Sequence, residues 1–109
     1  MENKDTVIIL AALAQETRLA IYRLLIVQGK DGLAVSRIGE ALGVAPATLS
    51  FHLKELAHAG LISARQESRF IYYSANYDAM NALIGFLTEN CCGGQTCGPA
   101  PTCDGACLQ

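Results

Sequence analysis

Pro46-Ala47-Thr48-Leu49-Ser50-Phe51-His52-Leu53-Lys54-Glu55-Leu56-Ala57-His58-Ala59-Gly60-Leu61-Ile62 reads as a helix with a clear start and stop. Pro46 stands where a first helical turn tolerates a missing N–H, and Gly60 stands where a helix ends. Between them Leu49, Leu53 and Leu56 recur at i, i+4 and i+7, the spacing of a core stripe. The opposite face carries Ala47, Thr48, Phe51, Lys54, Glu55 and His58, with Ser50 and His52 at the flanks. Phe51 has no core to enter from there. It either contacts a partner or lies against the helix surface.

A shorter helix is expected just before, over about 34–42, with Ser36 near its start and Gly43 ending it. Two short helices joined by a glycine-containing turn form the helix-turn-helix pattern. In a recognition helix Phe51 meets a thymine methyl, Thr48, Ser50 and His52 read base edges, and Lys54 meets phosphate. The alternative is a solvated face with one stray aromatic. After Gly60 the period changes to alternation. The runs 61–65 and 70–74 are β-prone and flank Gln66-Glu67-Ser68-Arg69, which predicts a hairpin with arginines near its tip. Behind a helix-turn-helix such a hairpin is a wing, with Arg65 and Arg69 beside the DNA backbone. Residues 44–75 hold Lys54, Arg65 and Arg69 against Glu55 and Glu67, a net +1, whereas 76–109 hold only Asp78, Glu89 and Asp104, a net −3. Acidity sits away from the expected double-stranded DNA face, although the whole chain carries a net charge of −2.

Three more helices complete the body. Residues 5–14 are apolar on nearly every side, with Asp5 a candidate cap. A second helix spans 16–28, with Leu19, Ala20, Tyr22, Leu24, Leu25, Ile26 and Val27 apolar and Arg18 and Arg23 outside. A last helix, about 77–89, is again apolar around most of its circumference. In 109 residues, 51% of them hydrophobic, one domain cannot hide all of this internally. The expected fold is mainly α with a β-hairpin wing (α+β), a winged helix-turn-helix forming a homodimer through its first and last helices. The apolar run 7–14 is too short to span a membrane, and the first residues do not read as a signal peptide. A cytoplasmic protein is expected.

All five cysteines, Cys91, Cys92, Cys97, Cys103 and Cys107, follow ninety residues that contain none. The expected organisation is therefore a DNA-binding and dimerisation domain over 1–90 and a flexible cysteine-rich metalloid-sensing tail over 91–109. In a reducing compartment such a cluster points to metal or redox chemistry more than to structural disulfides.

The run 16–25, then Pro46 through Ile62, then Arg69-Phe70-Ile71-Tyr72-Tyr73, resemble in order the ArsR/SmtB family of metal-responsive repressors. The resemblance covers about residues 5–90, and its S-x-H-L-K-x-L-x-x-A-G-L run is specific. It implies a dimer that holds operator DNA when ligand-free and releases it on binding ligand. One sub-pattern of the family places E-L-C-V-C-D-L in the third helix. Here Ser36-Arg37-Ile38-Gly39-Glu40-Ala41-Leu42 has no cysteine. Another places Asp and His pairs along the last helix, which here offers Asp78 and Glu89 but no histidine. The Cys91-Cys92 pair just past the last helix is similar to arsenite-responsive members with a C-terminal site. Ser68 stands where a glycine is common in the wing, so a less tight turn is expected.

As(III) and Sb(III) are soft and take three thiolates in a pyramid. Cys91 and Cys92 deliver two sulfurs from adjacent positions, and Gly93 and Gly94 let the chain fold back to bring Cys97 as the third. Cys103 is the main substitute for Cys97; beyond that, Cys103 and Cys107 either complete a four-thiolate site or, the preferred reading, are spare thiols. The competing reading is a thiol-redox or persulfide-sensing repressor on the same fold, which requires a lowered thiol pKa that few nearby basic groups could supply. An enzyme is not expected: there is no C-x-x-C, no basic partner for the thiols and no cofactor fingerprint.

Overall fold

The computed structural model describes residues 1–89, so the cysteines and the tail lie outside the described residues. The order of elements is α1 (Asn3–Leu13), α2 (Glu16–Gln28), β1 (Leu33–Ala34), α3 (Val35–Leu42), α4 (Pro46–His58), β2 (Ile62–Glu67), β3 (Phe70–Ala75) and α5 (Tyr77–Leu87). The three strands form one antiparallel sheet in the order β1-β3-β2. This is a winged helix-turn-helix. Among the described residues no helix is long and apolar enough to cross a membrane.

The core is one cluster built on α2 and α4. Ile21, Tyr22 and Leu25 from α2 meet Leu49, Leu53 and Leu56 from α4, with Ile38 of α3 and Leu61 closing the gaps. Two glycines set the angles between these parts. Gly43 turns α3 into α4 in the left-handed region at φ 66. Gly60 stops α4 at φ 79, and the Leu61 N–H reaches back to the Leu56 carbonyl at 3.1 Å, a helix-ending six-to-one bond.

Several details differ from the sequence reading. Residues 33–34 form a short strand against Tyr72 and Tyr73, so α3 begins at Val35. Two residues are too few to show any period. α1 begins at Asn3, and Asp5 is not its cap but sits one turn in, accepting the Glu2 backbone N–H at 3.2 Å. The wing turn is tight rather than loose. Glu67 pairs with Phe70, leaving only Ser68 and Arg69, and Ser68 adopts φ 57. A positive φ at the first turn residue matches the right-handed twist of the strands, so the serine takes up the conformation where glycine is usual. In α2, Leu19 and Val27 are exposed, while Ile21 is the buried residue that the expected apolar set omitted.

Candidate nucleic-acid interface

At roughly 100° per residue, Leu49, His52, Leu53 and Leu56 share an arc of about 100° on α4. All four are buried. His52, expected to read base edges from a flank, is only 8% exposed and faces the core instead. The leucine stripe alone hid this, since His52 lies three residues after Leu49 and four before Leu56. Its Nδ1 has no hydrogen-bond partner among the described residues. Neighbouring Phe51 is 56% exposed on the opposite side, touching His52 edge-on with ring centroids 5.5 Å apart. Thr48 and Ser50 are exposed on the two flanks of Phe51, and Lys54 follows Ser50 one turn on.

Polar contacts hold the helix in place at two points, and a third ties the elements behind it. Arg18, expected to lie outside, turns inward instead, its side chain 17% exposed and paired with Glu55 at 3.7 Å. That pair ties α2 to α4. At the far end Asn76 forms a joint. Its side chain caps α5 by accepting the Ala79 N–H at 3.2 Å and donates to the Gly60 carbonyl at 2.9 Å. Tyr77, the first residue of α5, donates its hydroxyl to the Ile26 carbonyl at 2.8 Å. The end of α4, the end of α2 and the start of α5 therefore share hydrogen bonds.

The two wing arginines are placed differently. Arg65 is engaged by its own protein. Its guanidinium pairs with Glu67 at 3.0 Å, donates to the Asp31 carbonyl at 3.2 Å and lies over the Tyr72 ring at 5.0 Å. Arg69 sits in the exposed turn and makes no side-chain hydrogen bond or ion pair among the described residues. With Ser50, Lys54 and His58 it borders one cleft between α3, α4 and β3, of about 1230 Å³. Pairing sharpens the charge count of this side. Glu55 is matched by Arg18 and Glu67 by Arg65, which leaves Lys54 and Arg69, with Glu40 of α3 opposite in sign, without an ion-pair partner among the described residues. Unpaired cations around an exposed polar and aromatic helix face suit a phosphate backbone flanking a groove.

The other side of the protomer is different in kind. Val7, Ile8 and Leu10 of α1 and Ile84 and Leu87 of α5 are exposed, and no charged residue interrupts 6–15 or 79–88. Between the two sides, burial raises the Tyr22 hydroxyl pKa above its ordinary 10.0, with a further push from Tyr77. That hydroxyl has no hydrogen-bond partner among the described residues. Among the described residues no group of three or more His, Cys, Asp or Glu could hold a metal ion. Cys91, Cys92 and Cys97, with Cys103 and Cys107, lie outside those residues.

Residues 13–64 match the family described as "Helix-turn-helix domain". An uncharacterized HTH-type transcriptional regulator of Bacillus subtilis, YceK, is 41% identical over 80 residues, covering 72% of this chain and 79% of that protein. The arsenical resistance operon repressor of the same species is 36% identical over 81 residues, covering 74% and 73%. Among solved structures, HlyU from Vibrio cholerae matches with a TM-score of 0.65 at 30% identity, over 84% of this chain and 99% of that one. A homodimeric winged helix-turn-helix DNA-binding domain from Mycobacterium bovis, a possible ArsR-family transcriptional regulator, also gives 0.65 at 30% identity, over 87% and 88%.

Proposed function

The chain belongs to the ArsR/SmtB-type winged helix-turn-helix transcription regulators, and from that membership we propose a homodimeric repressor that holds operator DNA when ligand-free and releases it when As(III) or Sb(III) binds its cysteines. One observation carries the operator half. Phe51 and its flanking Thr48 and Ser50 project from α4, and the unpaired Lys54 and Arg69 border the adjoining cleft. The α4 residues address the groove, and the two cations address the backbone. His52 drops out of the reading set, and Arg65 supports the wing more than it meets phosphate.

The inducer half rests on the donor chemistry of the chain. Cys91 and Cys92 stand four and five positions after Leu87, where α5 ends, and Cys97 supplies a third soft thiolate, with Cys103 as its substitute. The likeness to an arsenical resistance operon repressor supports the same ligand class. Three thiolates neutralise a trivalent cation, so the ligand does not expel DNA by charge. Release acts through conformation instead. Ligand binding beside the end of α5 draws on that helix, and the Asn76 and Tyr77 hydrogen bonds pass the shift to α4 and α2. A coupling of about 1–3 kcal/mol is the usual size for such regulation.

Thiol quantitation tests the ligand directly. Arsenite should mask three thiols per chain in the reduced protein, reversibly and without oxidant. Masking that requires peroxide and ignores arsenite would instead favour the thiol-redox reading.

A further inference from the structure

The cleft between α3, α4 and β3 has a character that DNA contact does not explain. Val35, Leu49, Leu53 and Ala57 line it from the helices, and Phe70 and Ile71 line it from the wing. The two wing residues are 51% and 42% exposed, large apolar side chains with nothing packed over them. A phosphate backbone offers such a floor nothing. Lys54 and His58 lie one turn apart on α4, and Arg69 of the wing turn lines the same cleft. Lys54 and Arg69 have no ion-pair partner among the described residues, unlike Arg18 and Arg65. The one carboxylate in the lining, Glu40, belongs to α3, on another wall. At about 1230 Å³ the cleft exceeds the roughly 300–1000 Å³ typical of small-ligand sites.

We propose that this cleft is a second effector site, separate from the cysteines, for an amphipathic organic monoanion: a carboxylate whose head group meets Lys54, His58 and Arg69 while its aliphatic or aromatic body covers Phe70 and Ile71. Lys54 and Arg69 are also the cations assigned to the operator backbone. Ligand and DNA therefore compete, and that second half of the inference rests on the operator reading.

Binding is measured first on the full chain without DNA, by calorimetry with dodecanoate as the probe. The expected result is saturable binding of one dodecanoate per protomer. Lys54→Ala and Ile71→Glu should each weaken it at least tenfold, with an unchanged circular dichroism spectrum. Phe70→Ala, a milder change on the same floor, should weaken it severalfold. Dodecyltrimethylammonium, with the opposite head charge, should bind at least tenfold more weakly than dodecanoate. Equal affinity for both head groups would overturn the proposal. So would binding that survives Ile71→Glu but is lost in Ile84→Glu, because the probe would then be covering the α1–α5 face. In a second arm, dodecanoate should release operator DNA from a chain with all five cysteines changed to serine. Binding without release would leave the site standing and overturn the competition.

Discussion

Two faces of this protomer expose large apolar side chains, and they do so in different company. On the α1–α5 face, Val7, Ile8, Leu10, Ile84 and Leu87 lie in stretches free of charge. On the α4–wing face, Phe51 is set among Thr48, Ser50, Lys54 and Arg69. An uninterrupted aliphatic face fits a copy of itself, since a two-fold interface needs only self-complementary apolar surface. An aromatic among hydroxyls and unpaired cations fits a polyanion with apolar edges. Apolar exposure alone says that something must cover a surface; the neighbouring charges say what.

The most disruptive way to break this comparison is to put a charge on the first face. Ile84→Glu should give a monomer by sedimentation, and operator affinity should fall by roughly a hundredfold or more as the two half-sites lose their linkage. A dimer that persists would move the interface elsewhere.

Phe51 and His52 sharpen the second face, because adjacent residues should respond in opposite ways. Phe51→Ala should change stability by less than about 0.5 kcal/mol, as an exposed substitution does. It should weaken operator binding about tenfold, or 1.4 kcal/mol. His52→Ala empties a buried position and should cost about 2 kcal/mol in urea unfolding. Its operator affinity, measured well below the unfolding midpoint, should stay close to that of the parent.

The sequence shows clearly what rests on long, regular patterns. α2 and α4 have the expected bounds, and the hairpin lies where the alternation begins. The misses have physical reasons. A stripe defined by leucines alone leaves out His52, although its spacing places it in the same arc. Arg18 reads as a surface charge because its partner, Glu55, comes from another helix, and the Asp31 carbonyl that Arg65 reaches lies comparably far along the chain. β1 exists only because β3 passes beside it. Ser68 reads as a poor turn residue, yet the paired strands on both sides hold it at positive φ.

Arg65 and Arg69 provide a smaller test of the same side. Arg69→Ala should lower the salt slope of operator binding by about one unit, the loss of one phosphate contact. Arg65→Ala should leave the slope nearer the parent value and instead loosen the wing. The smallest effect belongs to the core shared by both faces. Because the folded Tyr22 pKa is raised, its contribution is intact below 10.0 and is lost as pH rises through the higher folded value. Tyr22→Phe should therefore be within about 0.5 kcal/mol of the parent at neutral pH and lose less stability above pH 10.0.

The central claim is that thiols beyond the last helix govern what α4 does to DNA. The direct measurement is fluorescence anisotropy of labelled DNA from the protein's own promoter, titrated with arsenite. The parent chain should bind without arsenite and release the DNA as arsenite is added. Cys91→Ser and Cys92→Ser should each bind equally well and fail to release. Release by both variants at the parent's arsenite concentration would contradict the account.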